Sequence, residues 1–345
     1  MLVMLLLALL LAGCAQQGGV AQGGGGAAIP LPDSLVEKDP GQNLRGILIV
    51  TQNTSQAVTF INPDTRRVFA YTPVGWDPRD IAVSPDQRLV FVSNFGGGQF
   101  GAGTISVISP TSRREIDRID LYPYGPFHGM ACGRSGIYLY VASETRRAVL
   151  EVNLLSRTVE RSWVLPHGVP NEVALDGSET RIYVTDLQSP TLFAVNLAGG
   201  DIQEARTGGG PEGITLAPDG SSLWIANRDD GTISVLDPYT LGMVSSMLSG
   251  RAPVRIAFTP DGARAYVVNA GEGSVTIFDA HGRARLGSIP VGLYPLGIAM
   301  DPSGTRAYVV STRDDEISVL DLTSNTVTER IQVGPEPFDV AWVGR

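Results

Sequence analysis

The sequence has few of the residues on which several common kinds of functional site depend. Its 345 residues include two cysteines and three histidines. So few cysteines argue against a disulfide framework, and so few histidines argue against a zinc or copper site built from several imidazoles. No Cys-x-x-Cys-His haem motif and no Gly-x-Ser-x-Gly nucleophile motif occurs. Haem attachment and the commonest serine hydrolase arrangement are therefore not indicated.

Charge is also scarce, and positive charge in particular. Only 18% of the residues are charged, the formal net charge is -9, and Lys38 is the sole lysine. This negative net charge disfavours non-specific electrostatic binding to nucleic acid or anionic lipid. The chain is instead rich in hydrophobic residues (43%), with 41 glycines and 23 prolines. This composition is typical of many short strands joined by tight turns.

The N-terminal residues carry a targeting pattern. Residues 1–12 are apolar, and the run ends in Leu11-Ala12-Gly13-Cys14, which resembles the lipobox of bacterial lipoproteins. The resemblance implies a signal peptide over residues 1–13, a lipid on Cys14, and a position at the bacterial cell envelope, either periplasmic or on the cell surface. The membrane would then be a partner through that lipid. A plain signal peptide or an anchor helix is the alternative interpretation.

The segment after Cys14 is poor in apolar residues and rich in Gln and Gly. Such a segment has no apolar period around which to fold, so residues 14–44 are predicted to be a flexible tether.

Three motifs recur in the same order through residues 45–345. The first is a β-rich run such as Leu89-Val-Phe-Val-Ser-Asn94, and its third residues are Ile49, Phe91, Tyr140, Tyr183, Trp224, Tyr266 and Tyr308. The second motif ends in Asn, Asp or Ser, which stop a strand by bonding nearby backbone N–H groups. The third begins with a proline, at positions 78, 126, 170, 211, 253, 295 and 337.

The spacing of these motifs predicts the fold. Successive anchors of the first motif lie 42, 49, 43, 41, 42 and 42 residues apart, which is the length of a four-stranded propeller blade. Seven copies predict an all-β, seven-bladed β-propeller. The chain enters with a second strand and leaves with an inner strand, so the C-terminal strand is expected to complete the first blade and close the ring.

The repeats also resemble a known family. Tyr266-Val-Val-Asn269, Ser274 to Asp279 and Pro295 to Gly304 are similar to the YVTN β-propeller repeat of YncE-like proteins. The resemblance covers residues 45–345. It implies the fold but no single activity, because such proteins include surface proteins, DNA-binding periplasmic proteins, lactonase-like enzymes and subunits of redox enzymes.

Candidate site residues follow the prolines of the third motif, because the loops before these prolines and the loops after the first motif are predicted to share one face. The two residues after each proline are expected to ring the channel mouth: Arg79-Asp80, Phe127-His128, Asn171-Glu172, Glu212-Gly213, Val254-Arg255, Leu296-Gly297 and Phe338-Asp339. The hypothesis for ligand contact names Asp80, His128, Glu172, Arg255 and Asp339 as polar groups, and Phe127 and Phe338 as stacking groups. The insertion Gly96 to Gly103 adds Gln99 and Phe100.

Two interpretations of this mouth stay open. His128, Glu172, Asp80 and Asp339 could serve as ligands of a calcium or magnesium ion or as proton carriers. Alternatively, the mouth is a water-filled opening whose charges satisfy one another. The sequence predicts no cofactor, although the acids could accept a divalent cation.

His167 could join His128 from the adjacent blade or lie in a solvated loop, and Cys132 is expected to be an ordinary free thiol.

Three functions fit these observations, and the first is favoured. It is a non-enzymatic scaffold at the cell envelope that recognises a peptide, a glycan or a partner protein through one loop face. The second is a lactonase-like hydrolase with a divalent ion at the channel mouth. The third is binding of single-stranded nucleic acid, which the acidic composition disfavours.

Overall fold

The computed structural model describes residues 46–96 and 103–344. These residues form 28 β-strands arranged as seven sheets of four strands each. Within this part of the chain, no helix is long and apolar enough to cross a membrane. The predicted signal peptide, Cys14 and the tether lie outside the described residues, as do Gln99 and Phe100.

Each sheet is one blade, with an inner strand at the axis, a second strand, a third strand and an outer strand. Blades 1 to 4 are, in that order, β28 (Pro337–Val343), β1 (Ile47–Gln52), β2 (Ala57–Asn62), β3 (Arg67–Pro73); β4 (Pro78–Val83), β5 (Val90–Asn94), β6 (Thr104–Ser109), β7 (Arg114–Asp120); β8 (Phe127–Cys132), β9 (Tyr138–Ser143), β10 (Ala148–Asn153), β11 (Thr158–Val164); and β12 (Pro170–Leu175), β13 (Arg181–Asp186), β14 (Thr191–Asn196), β15 (Ile202–Arg206).

Blades 5 to 7 follow the same order: β16 (Pro211–Leu216), β17 (Leu223–Asn227), β18 (Thr232–Leu236), β19 (Met243–Leu248); β20 (Pro253–Phe258), β21 (Arg264–Asn269), β22 (Ser274–Asp279), β23 (Arg285–Pro290); and β24 (Pro295–Met300), β25 (Arg306–Ser311), β26 (Glu316–Asp321), β27 (Thr326–Gln332). Six of the seven inner strands start with proline, which costs no ladder hydrogen bond at the first position of a strand.

The C-terminal strand closes the ring. β28 pairs antiparallel with β1, with Ile49 opposite Ala341 and Leu48 opposite Trp342. Blade 1 is thus assembled from both ends of the repeat region. The predicted seven-bladed propeller and its closure by the C-terminal inner strand are confirmed.

The hydrophobic core lies between the blades. The third residues of the β-rich runs, from Ile49 to Tyr308, are all at most 4% exposed. Seven buried apolar clusters occur, and each joins two neighbouring blades, including one between blades 7 and 1. Because every blade buries both of its faces against neighbours, the ring has no free sheet face. The inner strands are thereby held rigidly around the axis.

Blade 3 departs from the predicted register by one residue. Phe127, and not Pro126, is the first residue of β8, and it lies opposite Ser143 as Pro78 lies opposite Asn94 in blade 2. Phe127 is fully buried in the cluster between blades 2 and 3. Its side chain is therefore part of the core and does not line the channel mouth, which corrects its predicted role in ligand contact.

Candidate functional site

The second residue of each inner strand forms a ring at the channel mouth, called the collar. Its members, from blade 2 round to blade 1, are Arg79, His128, Asn171, Glu212, Val254, Leu296 and Phe338. All seven line one cavity of about 110 Å³ at the mouth. The collar is divided into a polar arc on blades 2 to 5 and an apolar arc on blades 6, 7 and 1.

A second ring, called the rim, surrounds the collar. It consists of the residue that follows each second strand: Asn53, Phe95, Glu144, Leu187, Arg228, Ala270 and Thr312. In every blade the N–H of the rim residue donates to the carbonyl oxygen of the residue two before the collar residue, over 2.8 to 3.2 Å. This repeated hydrogen bond places each rim side chain beside the mouth, whatever its chemical type.

The third residues of the inner strands lie closer to the axis and include four charged side chains, called the plug: Asp80, Glu172, Arg255 and Asp339. The guanidinium of Arg255 donates to Asp80 Oδ1 over 2.7 Å and also to Glu172. Since Arg255 belongs to blade 6 and its partners to blades 2 and 4, its side chain must cross the axis. The plug side chains therefore fill the channel below the collar.

The other three blades carry glycine at this third position, and the glycines make room for the plug. A Cβ on Gly129 would lie 2.7 Å from Glu172 Oε1, and one on Gly297 would lie 2.8 Å from Asp339 Oδ1. A Cβ on Gly213 would lie 2.4 Å from the carbonyl oxygen of Val254. The charged residues lie on blades 1, 2, 4 and 6, and the glycines lie on blades 3, 5 and 7. Because glycine has no side chain, the inner strands can pack closely around the guanidinium of Arg255.

The plug has three carboxyl groups for one guanidinium, and this imbalance changes how they titrate. Burial raises the pKa of Glu172 to about 8, with the nearby Asp80 and Asp339 acting in the same direction against Arg255. Burial also raises the pKa of Asp339 to about 6. At neutral pH the plug therefore retains a proton, which removes one of the three negative charges.

His128 and Glu144 form a pair between the collar and the rim of blade 3. His128 Nε2 lies 3.0 Å from Glu144 Oε2, and the imidazole side chain is 10% exposed. The hydrogen bond from His128 lowers the pKa of Glu144, so this carboxylate stays ionised beside the ring. Nδ1 of His128 makes no hydrogen bond among the described residues, and the ring lines the mouth cavity. The arrangement can accept a proton at Nδ1.

Arginines lie on both sides of this pair. The guanidinium of Arg79 stacks on Phe95, 3.8 Å from the ring centroid, and Phe95 meets His128 edge to face at 5.1 Å. Arg228 Nη1 lies 3.0 Å from Glu212 Oε2. Burial raises the pKa of Glu212, while Arg228 and Arg255 oppose that shift. The polar arc and the adjoining rim residue Arg228 thus present two guanidinium groups, a histidine, an amide and the carboxyl group of Glu212 to one small space.

A wider cavity of about 690 Å³ opens above the apolar arc. It shares six lining residues with the mouth cavity: Arg79, Glu212, Arg228, Val254, Leu296 and Phe338. The two cavities therefore form one continuous space. Its size lies in the range of small-molecule sites, which are concave and combine apolar walls with a few polar groups.

The predicted metal ligands do not surround one open position. Among residues 46–96 and 103–344, no three His, Cys, Asp or Glu side chains are placed so that they could hold a metal ion. His128 pairs with Glu144, whereas Asp80 and Glu172 bind the guanidinium of Arg255. A divalent cation at these acids would meet a fixed positive charge, so the donor set does not fit one.

The remaining histidine and cysteine of interest lie apart from the mouth. His167 is 46% exposed and pairs with Glu204 and Asp186, so it does not join His128. Cys132 has no disulfide partner within residues 46–96 and 103–344, and burial raises the pKa of its thiol to about 11. Cys132 is therefore protonated at neutral pH and a poor nucleophile.

Three residues of the site were not named from the sequence, namely Phe95, Glu144 and Arg228. Each is a rim residue at the end of a β-rich run, in a loop that the repeat already assigned to this face. Alignment of the position after each run would have found the seven rim residues together. Which of them faces His128 depends on the ring geometry and not on the repeat.

Comparison with other proteins supports the fold and goes no further. No protein-family model and no curated protein matches the sequence. Among solved structures, a periplasmic gluconolactonase of Pseudomonas aeruginosa is 19% identical, with a TM-score of 0.72, over 86% of this chain and 99% of that one.

Two further structures show how varied proteins of this shape are. Hydrazine synthase of Kuenenia stuttgartiensis is 18% identical, with a TM-score of 0.70, over 80% of this chain and 92% of that one. A functionally unknown protein of Desulfotomaculum acetoxidans is 17% identical, with a TM-score of 0.72, over 86% and 98% of the two chains. At these identities the likeness establishes the seven-bladed propeller fold and leaves the activity to be argued from the site.

Proposed function

We propose that the protein hydrolyses a small lactone or ester at the channel mouth. The observation that carries this proposal is the His128–Glu144 pair, in which His128 lines a concave cavity and its Nδ1 has no hydrogen bond to any residue that the structure describes. The gluconolactonase among the similar structures supports the choice of lactones as the substrate class. Of the functions predicted from the sequence, this is the hydrolase, with side chains in place of the divalent ion.

The proposed reaction begins with a water molecule at His128. Nδ1 accepts a proton from the water as its oxygen attacks the carbonyl carbon of the lactone, and Glu144 stabilises the resulting imidazolium. The carbonyl oxygen becomes an oxyanion, which a cation or an amide N–H of the polar arc stabilises. The C–O bond of the ring then breaks, and the leaving alkoxide takes the proton from Nδ1. The product is the open hydroxy acid.

Two arginines at the mouth, Arg79 in the collar and Arg228 in the rim, support this assignment. Arg79 and Arg228 line the mouth, so a guanidinium N–H could donate a hydrogen bond to the carbonyl oxygen as negative charge develops on it. Asn171 offers an amide from blade 4 in the same arc. The plug lies beneath, and the raised pKa of Glu172 reduces its negative charge near pH 7 and hence its repulsion of an acid product.

Hydrolysis of aliphatic lactones by the purified protein, followed by proton release, tests the proposal. We expect a rate above the spontaneous reaction, and a loss of about 100-fold or more in kcat for His128→Gln. His167→Gln is the matched control, because that histidine also contacts carboxylates but lies outside the cavity. A wild-type rate equal to the spontaneous rate, or equal rates for both variants and the wild type, would overturn the proposal.

A second candidate is a binding protein for small acids, anchored at the cell envelope through Cys14. The observation that favours it is the pairing of the arginines, since Arg79 is bound by Asp77 and Arg228 by Glu212 and Asp229. The carboxylates that pair with these cations reduce the positive charge available to stabilise an oxyanion in a transition state. Calorimetric binding of a hydroxy acid without any turnover of its lactone would favour this candidate.

A further inference from the structure

We infer that the ligand of this site carries an apolar substituent, so that the substrate is an alkyl- or aryl-substituted lactone or ester and not a bare sugar lactone. This inference rests on the proposed hydrolysis for the position of the reacting carbonyl. The position of the remaining part of the ligand is inferred from the wider cavity.

The apolar arc is the first reason. Val254, Leu296 and Phe338 occupy three consecutive blades of the collar, where the other four blades carry polar side chains. A hydroxyl-rich ligand that covered this arc would lose hydrogen bonds to water, and these three side chains could replace none of them. An alkyl or aryl group would lose nothing by the same contact, and burying it would be favourable.

The wall above the apolar arc is the second reason. Leu293 is 61% exposed and Tyr294 is 37% exposed, and both line the 690 Å³ cavity with Ala252 and Ala270. Single exposed apolar residues are normal on a protein surface, but here they adjoin the apolar arc on the same two blades. Apolar residues of the collar and of this wall thus line the same cavity, although Asn53, Thr312, Arg313, Asp315 and Glu336 also contribute to its lining.

The aromatic walls are held in place by cations. Arg313 lies over Tyr294, with its Cζ 4.8 Å from the ring centroid, and Arg79 lies 5.7 Å from the centroid of Phe338. Cation–π contacts of this kind fix the ring planes before a ligand arrives. A preformed apolar wall lowers the ordering cost of binding an apolar group.

The position of His128 orients the ligand. His128 lies on blade 3, in the polar arc, whereas the apolar arc occupies blades 6, 7 and 1 on the other side of the mouth. A carbonyl placed at His128 would therefore direct the remainder of the molecule across the mouth toward Leu296. The two arcs together fit a molecule with one polar reacting end and one apolar end.

A series of γ-lactones with alkyl substituents of one to eight carbons tests the inference. We expect kcat/KM to rise about fourfold with each added methylene until the cavity is filled. In Leu296→Asn this gradient should be smaller, with the longest lactone losing the most. Leu155→Asn is the control, because Leu155 is 80% exposed and lies outside the lining of both cavities, and it should leave the gradient unchanged.

Direct binding of straight-chain carboxylates from butanoate to decanoate separates this inference from the proposed activity. If no lactone is hydrolysed but the longer carboxylates bind more tightly, the hydrolysis proposal fails and the apolar ligand class stands. If lactones are hydrolysed with no gradient, or a polyhydroxylated lactone is preferred, the apolar class is overturned. Absence of any gradient in both rate and binding overturns it as well.

Discussion

Arg255 in the inner strand of blade 6 donates a hydrogen bond to Asp80 of blade 2, on the far side of the channel, with 2.7 Å between Nη2 and Oδ1. Glu172 of blade 4 accepts from the same guanidinium. Three blades that are not neighbours in the ring are therefore tied together at the axis. The collar and its cavity lie directly above these side chains. We therefore expect the plug to stabilise the positions of the collar residues.

Replacing Arg255 by methionine should destabilise the fold strongly. The change removes the cation from the buried Asp80 and Asp339 and from Glu172, whose side chain is 15% exposed, and breaking a largely buried pair in this way costs about 3 to 5 kcal/mol. The free energy of unfolding in urea at neutral pH measures the effect. Arg88→Met is the control, because Arg88 and its partner Asp86 are exposed, and a change beyond about 0.5 kcal/mol is not expected there. Equal stability of the two variants would contradict the assigned role of the plug.

Stability should fall as the pH rises through the neutral range. The pKa of Glu172 is raised to about 8 and that of Asp339 to about 6, both chiefly by burial. In the unfolded chain these carboxyls lose their protons near about pH 4. Between about pH 4 and about pH 8 the folded state thus binds more protons than the unfolded state, and the free energy of unfolding decreases with pH.

The measurement for this effect is urea unfolding at about pH 5 and about pH 8, with an expected loss of at least about 1 kcal/mol. Glu172→Gln resembles the protonated side chain and should reduce the pH dependence. A free energy of unfolding that rises across this interval would show that Glu172 is ionised in the folded protein.

Gly213→Ala should also destabilise the ring, because the new Cβ would lie 2.4 Å from the carbonyl oxygen of Val254, which is backbone and cannot move aside. The expected loss is about 1 to 3 kcal/mol. Gly287 in the outer strand of blade 6 has no atom within 4 Å of such a Cβ. Gly287→Ala is therefore the matched control, and thermal melting of both variants decides the point. Indistinguishable melting temperatures would mean that the third inner-strand position is not crowded.

Cys14→Ser should move the protein from the membrane fraction to the soluble fraction. The lipobox-like Leu11-Ala12-Gly13-Cys14 would supply one lipid on the cysteine thiol, and serine cannot carry that thioether. Fractionation of cells expressing the variant and the wild type checks this. Retention of the serine variant in salt-washed membranes would rule out Cys14 as the anchor.

The repeat made the fold predictable. Anchors near every 42 residues fixed the number of blades, and the order of motifs fixed the closure by β28. The register of blade 3 was not predictable from its proline, because Pro126 precedes β8 where the other prolines begin their strands. Phe127 therefore occupies the buried first position of the strand, which is a proline in the other six blades. His128 is the second residue of β8 and belongs to the collar, whereas counting from Pro126 would place it at the third position.

The candidate site was predictable in position but not in its pairings. The sequence placed Asp80, Glu172, Arg255 and Asp339 among the residues that ring the channel mouth, and the structure separates them from the collar as the third residues of their inner strands. Their pairing across the axis depends on the glycines of the intervening blades and on the reach of one long side chain, which no local pattern encodes. For the same reason Glu144 was missed as the partner of His128.

The most direct test of the proposed site is a crystal structure of the protein with an alkyl-substituted hydroxy acid, the product of the proposed reaction. We expect the carboxylate within hydrogen-bond distance of His128 or Asn171, and the alkyl group against Leu296 and Phe338. The internal comparison is the opposite face, where the turns at Asp219 and Asp261 join the inner and second strands of blades 5 and 6 at the end of each inner strand away from the collar. Density for the acid at those turns, with the collar occupied by water alone, would contradict the account.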